Sequence, residues 1–229
     1  MIRLLLNALV SKIKGYPYQI DVRISSGSLL MLALHRCSSL IRGFLMFGCP
    51  SKKIFIDSHV TLKNKKHIFM QTGVSIGKFV TIDGLSESGV HLGRNVNIGP
   101  YTIIQGTGIM TRLGKGLTIG DHSGVGAFSF FGCGGGVSIG SHVIMGQYVS
   151  FHAENHDYDR LDVPIKQQGV NRKGIRVGDN CWVGAKVTFL DGAVVGNGCV
   201  IAAGAVVKGE IPDNVVIAGV PAKIIKKRL

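Results

Sequence analysis

Residues 177–211 read VGDNCWVGAKVTFLDGAVVGNGCVIAAGAVVKGEI, and within them an apolar residue returns at every sixth position: Val177, Val183, Phe189, Val195, Ile201 and Val207. Gly or Ala follows most rungs (Gly178, Gly184, Gly196, Ala202), and a small or β-branched residue sits four places on (Cys181, Val187, Ala193, Cys199, Ala205). Period six is neither the 3.6 of a helix nor the simple alternation of a lone strand. It predicts a parallel β-helix in which each six-residue unit is a short flat strand plus a corner. Three units close one triangular coil, so residues eighteen apart stack at one sheet spacing of about 4.8 Å.

Upstream the ladder continues with interruptions: Leu92, Ile98, Ile104; Ile119, Val125, Phe131; Ile139, Met145, Phe151. Ile76 and Ile82 are expected to begin it. The steps from Ile104 to Ile119, Phe131 to Ile139 and Phe151 to Val177 are not multiples of six, so extra residues must leave the coil as loops. The Gly-rich run 132–136 reads as a corner extension in which Gly accepts positive φ. Residues 152–174 form the one long excursion, and a loop of that length in a compact domain is usually functional or disordered.

The fold class expected is an all-β solenoid with three parts: an N-terminal helical appendage over 1–50, a coil over 51–223, and a capping strand or helix over 224–229. The 33 glycines of 229 residues suit tight corners. Residues 1–70 hold eleven Lys or Arg against two acids, net +9 of the chain's +13. Met1–Lys14 and Leu29–Phe47 mix apolar residues with Arg3, Lys12, Lys14, His35, Arg36 and Arg42, and those charges argue against a spanning helix. Amphipathic helices on a membrane surface or a neighbouring subunit fit, as does a plain cap on the open end of the coil. No basic run interleaved with aromatics points to nucleic acid. No cleavable leader is evident, and Cys181 and Cys199 read as small buried thiols, which together suit a reducing cytoplasm.

The excursion opens His152-Ala-Glu154-Asn155-His156-Asp157-Tyr158. His91, His122 and His142 fall at or beside corners, whereas His152 and His156 stand among acids able to orient an imidazole. A His near neutrality is the usual general base, and no Ser, Cys or Lys has the setting of an activated nucleophile. Direct attack by an acceptor on an activated donor is the economical chemistry.

The ladder, the loop histidine, the stretch 177–185 and the stretch 201–225 with Ala218-Gly-Val-Pro-Ala-Lys223 resemble the hexapeptide-repeat acyltransferases over roughly residues 70–229. The likeness extends to the galactoside and maltose O-acetyltransferases, the xenobiotic acetyltransferases and the O-acetyltransferases of bacterial surface polysaccharides. The resemblance implies a left-handed β-helix, a homotrimer with sites between subunits, acetyl-CoA as co-substrate and no metal. It places the catalytic base on His156, with His152, Glu154, Asn155, Asp157 and Tyr158 as acceptor-loop candidates. Acetyl-CoA contacts fall on Trp182, Ala185, Ala203, Lys208, Gly209, Lys223 and Lys226. Gly126 stands where galactoside enzymes carry an acceptor-side Asn, which turns the expected acceptor toward the sugar of a surface polysaccharide or its precursor, free or lipid-linked. Cytoplasmic action, with peripheral contact at the inner membrane face left open, follows from that acceptor. The other readings are an amino-sugar N-acyltransferase, a zinc lyase of the β-helix carbonic anhydrase type joining His152 and His156 to His122 or His142, and a non-catalytic membrane-associated scaffold.

Overall fold

A computed structural model describes residues 2–14, 17–108 and 110–228. Met1 and Leu229, the outer ends of the expected appendage and tail, lie outside the described residues. Two helices, α1 (Ile2–Lys14) and α2 (Ser26–Phe47), precede a coil of two- and three-residue strands stacked into three parallel sheets.

Each sheet is one face of a triangular prism, and the period-six rungs line its interior. On the first face Ile98, Val125, Met145, Val183 and Ile201 fall in one column; on the second, Ile104, Phe131, Phe151, Phe189 and Val207. The third carries Leu92, Ile119, Ile139, Val177 and Val195. All of these rungs are buried in one continuous cluster. The coil winds left-handed, the exception to the right-handed crossover preferred elsewhere.

The ladder starts a coil earlier than expected. Ile56 pairs with Ile76, Leu62 with Ile82, and Met70 with Leu92. The period is masked there because the step from Leu62 to Met70 is eight and not six, and a 3-10 turn at Lys65–His67 interrupts the apolar pattern with charge.

Every departure from six occurs at one corner. Steps from first to second face, such as Ile98 to Ile104 or Met145 to Phe151, are always six, and so are steps from third to first, such as Leu92 to Ile98. All the extra residues leave between the second and third faces, including 106–116, 132–136 and 152–174. The loops therefore pile up along a single edge of the prism.

Glycine takes the left-handed seat at only some corners, among them Gly73, Gly198 and Gly204. His59, Phe79, Tyr101, Phe128 and Tyr148 take the left-handed seat between first and second faces with φ between 58° and 61°. Their rings stack in a column with centroids 4.7 to 5.0 Å apart, matching the coil spacing. The glycines after the rungs instead permit close approach of successive coils: a Cβ on Gly184 would lie 2.5 Å from the Ala203 nitrogen, and one on Gly146 would lie 2.6 Å from that of Ala185. The run 132–136 follows the same logic, since only Gly136 has positive φ.

At the remaining corner, carboxylate and amide side chains link coils. Asp179 accepts from the Ser141 N–H at 2.7 Å, Asn197 from Asp179 at 2.8 Å and Asp213 from Asn197 at 2.7 Å. The C-terminal cap is a strand, Ala222–Lys227, beginning two residues before the expected tail and folded back antiparallel on Val215–Gly219. It supplies hydrogen bonds to an edge that would otherwise be open. All five cysteines are free.

Candidate active site

The loop-bearing corner holds the excursion as an ordered structure. Asn155–His156 pairs antiparallel with Val170–Asn171, and a short helix, α3 (Ile165–Gln168), closes the far end. Arg172, whose side chain is 2% exposed, donates to Glu154 Oε2 at 2.6 Å and to the Leu113 carbonyl at 2.8 Å. This buried, paired guanidinium ties the excursion to the neighbouring loop. Asp191 lies beneath the excursion's base and accepts from the Lys173 and Gly174 N–H groups at 2.9 and 2.7 Å. Asn155 Nδ2 reaches the same carboxylate at 3.5 Å, and Asn171 donates to Asp157 at 2.8 Å.

Two glycines make this packing possible. A Cβ on Gly134 would lie 2.8 Å from Glu154 Oε2, and one on Gly135 would lie 2.4 Å from the Ala153 carbonyl oxygen. Gly135→Ala is therefore expected to push the excursion off its base and to cost at least about 1–3 kcal/mol. Hydrogen exchange of the Gly174 amide, which Asp191 now protects, reads the change directly. Unchanged protection there counts against the packing argument.

His156 stands exposed on the first strand of the excursion. His152 lies on the outer surface of the second face, its ring centroid 5.7 Å from that of Phe130. It helps to line a cavity of about 190 Å³ with Gln105, Phe130 and Glu154. Glu154 is half-buried and engaged by Arg172, while Tyr158 is exposed farther along the excursion. A larger open groove of about 410 Å³ crosses the third face between Lys115 and Lys173, with Ser138, Arg176 and Val194 on its floor.

The residues expected to meet acetyl-CoA fall elsewhere on the coil. Trp182 is 59% exposed on the first face, in register between Ile144 and Val200. Ala185 and Ala203 stack at the corner between first and second faces. Lys208 and Gly209 lie at the second-to-third corner, one after the other beyond Val207. Lys223 and Lys226 are exposed on the capping strand. One chain thus carries His156 at one corner and the alanine stack at another.

His122 and His142 stack on each other, 5.1 Å apart, at the corner between third and first faces. The three-histidine zinc reading is corrected by that placement, because neither ring shares a corner with His152 or His156. Among the described residues no three His, Cys, Asp or Glu side chains are grouped to hold a metal ion. Burial pushes the Cys133 thiol up to about 12 and the Cys181 thiol up to about 11. Neither is a thiolate nucleophile at neutral pH.

Sequence reasoning missed Arg172 and Asp191, the two groups that hold the excursion in place. The available signals were slight: an Arg at the excursion's return, and an acid at the tight corner of the next coil.

Residues 174–209 match the family model described as bacterial transferase hexapeptide (six repeats). The probable acetyltransferase Rv3034c of Mycobacterium tuberculosis is 32% identical over 163 residues, 71% of this chain and 52% of its own length. WcaF of Escherichia coli, named as an acetyltransferase of colanic acid biosynthesis, is 31% identical over 62% of this chain and 71% of its own. The galactoside O-acetyltransferase of Escherichia coli is 33% identical over 40% of this chain and 44% of its own. Apart from WcaF, the chain spans about half the length of these curated relatives. A crystal structure of a variant of AntD, an N-acyltransferase from Bacillus cereus, was determined with dTDP-4-amino-4,6-dideoxyglucose and coenzyme A. It superposes with a TM-score of 0.52 at 18% identity, covering 77% of this chain and 81% of AntD. That likeness concerns the fold alone.

Proposed function

The chain belongs to the bacterial hexapeptide-repeat transferases, and from that membership we propose that it transfers an acetyl group from acetyl-CoA to a sugar hydroxyl of a surface polysaccharide or its precursor. The observation that carries the reading is the placement of His156 on an excursion held rigid at its base by Arg172 and Asp191. A base must hold its position against the proton it takes, and these two anchors supply that.

In the proposed reaction His156 takes the hydroxyl proton as the sugar oxygen attacks the thioester carbonyl. The tetrahedral adduct then expels the thiolate of CoA, which leaves as the thiol with the proton returned by the imidazolium. A sugar ester and free CoA result, with no covalent enzyme intermediate. Glu154, Asn155, Asp157 and Tyr158 border the base and are the acceptor-side candidates, with His152 in the neighbouring cavity wall. On the donor side, the exposed Ala203 and the half-buried Ala185 let pantetheine approach the backbone, with Trp182 beside them. Lys208, Gly209, Lys223 and Lys226 are placed toward the C-terminal end, where lysines pair with the CoA phosphates. Because acetyl-CoA is an intracellular donor, the reaction belongs in the cytoplasm.

The separation of His156 from Ala185 and Ala203 is what makes a homotrimer part of this reading. A cyclic trimer sets one corner of each copy against a different corner of the next. The second-to-third edge of one chain then faces the first-to-second edge of its neighbour, and each site takes its base from one copy and its donor groove from the other.

Two measurements test this. Ala203→Phe fills an exposed position, so it is expected to leave the coil folded. It should raise the apparent KM for acetyl-CoA at least about tenfold, a loss of about 1.4 kcal/mol. Mixing chains that carry only Ala203→Phe with chains that carry only His156→Ala, under conditions of subunit exchange, should restore about a quarter of the sites. No recovery in exchanged trimers places base and groove in one chain and removes the shared-site reading. Mass spectrometry of surface glycan from cells with and without the chain tests the acceptor: an added O-linked acetyl supports it. Acetyl on nitrogen, or no difference, overturns it.

A further inference from the structure

α2 is amphipathic the wrong way round for a helix packed on a protein core. Its polar stripe faces the coil. His35 Nε2 lies 3.1 Å from Asp57 Oδ1, Arg36 donates to Ser75 Oγ at 2.9 Å, and Arg42 donates to the Ile56 carbonyl at 2.8 Å. Ser39 also donates to Asp57. A Cβ on Gly43 would lie 1.9 Å from the Ile54 carbonyl oxygen, so the helix is pressed against the first coil on this side.

The opposite stripe is Leu30, Leu34, Cys37, Ile41 and Leu45, spaced four, three, four and four residues apart, which places them on one helical face. All five are exposed, Leu30 least among the leucines at 50% and Leu45 most at 75%. A contiguous apolar face of this kind marks a contact surface.

Charge decides what covers it. Neither α1 nor α2 contains an acid, and Lys52, Lys53, Lys65 and Lys66 are exposed just beyond the C-terminal end of α2. A second copy would bring the same uncompensated positive charge against this one. An anionic bilayer attracts it, by about 1 kcal/mol for each lysine near the surface.

By length and composition α2 is long and apolar enough to cross a membrane. Its polar stripe is engaged by the coil from His35 to Gly43, however, and a spanning helix would have to surrender those contacts. We propose that α2 lies in the plane of an anionic membrane, its outward apolar stripe buried among the acyl chains and the adjoining lysines among the phosphate headgroups. The surface is independent of the acyl-transfer reading: it lies on the first coil, four coils before the one bearing Phe151.

The test is co-sedimentation of the full chain with vesicles of phosphatidylglycerol and phosphatidylcholine, against vesicles of phosphatidylcholine alone. The intact chain should pellet with the anionic vesicles, and its partitioning should weaken markedly from about 0.05 to about 0.5 M NaCl. Leu34→Glu with Ile41→Glu should reduce partitioning at least about tenfold, because two carboxylates replace buried apolar groups. Lys52→Glu with Lys66→Glu leaves the helix untouched and should weaken anionic binding by a similar factor. That second variant keeps the test sound if the first misfolds. Absent binding by the intact chain, or binding unchanged in a folded variant, overturns the proposal. So does a change of sedimentation coefficient in Leu34→Glu/Ile41→Glu without any vesicle binding by the parent, which would make the stripe an interface between copies.

Discussion

His156→Ala is expected to lower kcat for acetyl transfer by about 10²–10⁴-fold, the usual worth of a positioned general base, while the affinity for CoA stays close to that of the intact chain. His156 makes no contact that the coil needs: its ring is exposed on the excursion, and its strand is held through backbone pairing with Val170. The loss should therefore appear in rate and not in folding, which circular dichroism and CoA calorimetry on the same sample can separate. His152→Ala is the matched control. His152 lies on the second face, in register with Gly132 and Leu190, and lines the smaller cavity. Its removal should cost far less. A larger loss at His152 than at His156 would move the base into that cavity and make the excursion an acceptor clamp.

Phe151→Ala is expected to destabilise the chain by about 3–5 kcal/mol, the range for deleting a buried aromatic ring. Phe131, Phe151 and Phe189 are each 0% exposed and stack with centroids 4.6 Å apart inside the second face. Removing the middle ring strips a contact from both neighbours at once and opens a void that rigid strands above and below cannot collapse to fill. Phe69→Ala supplies the comparison, since Phe69 is half-exposed on the outer surface and stacks only on His91. Its loss should fall below about 1 kcal/mol. Denaturant midpoints must be compared at one protein concentration, because association contributes to apparent stability. Equal shifts for the two variants would mean that the stacked rings carry no special share of the core.

The coil was readable because its signal is local and repeated. Val177, Val183 and Phe189 announce three faces within thirteen residues, and the next three rungs stack on them. The coil was expected from residue 51, but the rungs of its first turn were not legible because Lys63, Lys65 and Lys66 interrupt them and share the charge of the appendage. Positive φ at Gly136 was legible, whereas the close packing at Gly134 and Gly135 was not. Whether Gly134 turns the chain or admits Glu154 depends on a segment twenty residues away.

The resemblance pointed to His156 as the candidate base, but the groups that hold the excursion were not legible. Arg172 meets Glu154 eighteen residues earlier and Leu113 fifty-nine residues earlier, and Asp191 meets amide groups that carry no sequence signature at all. Likewise the charges in α2 were legible as charges against a spanning helix, yet only their partners Asp57, Ile56 and Ser75 reveal which side they occupy.

The sequence by itself determined the coil, its three-sided register and the presence of one long excursion, because a strict six-residue period is imposed by stacking each unit on its neighbours. Only the tertiary structure decided that every insertion leaves by one edge, that His156 and the Ala185–Ala203 stack occupy different edges, and that α2 turns its apolar side outward. Those facts depend on how many residues each interruption adds before the register resumes, and on side chains meeting across tens of residues. A local pattern specifies the repeat; the corner that a given residue reaches is set by the summed geometry of all the coils before it.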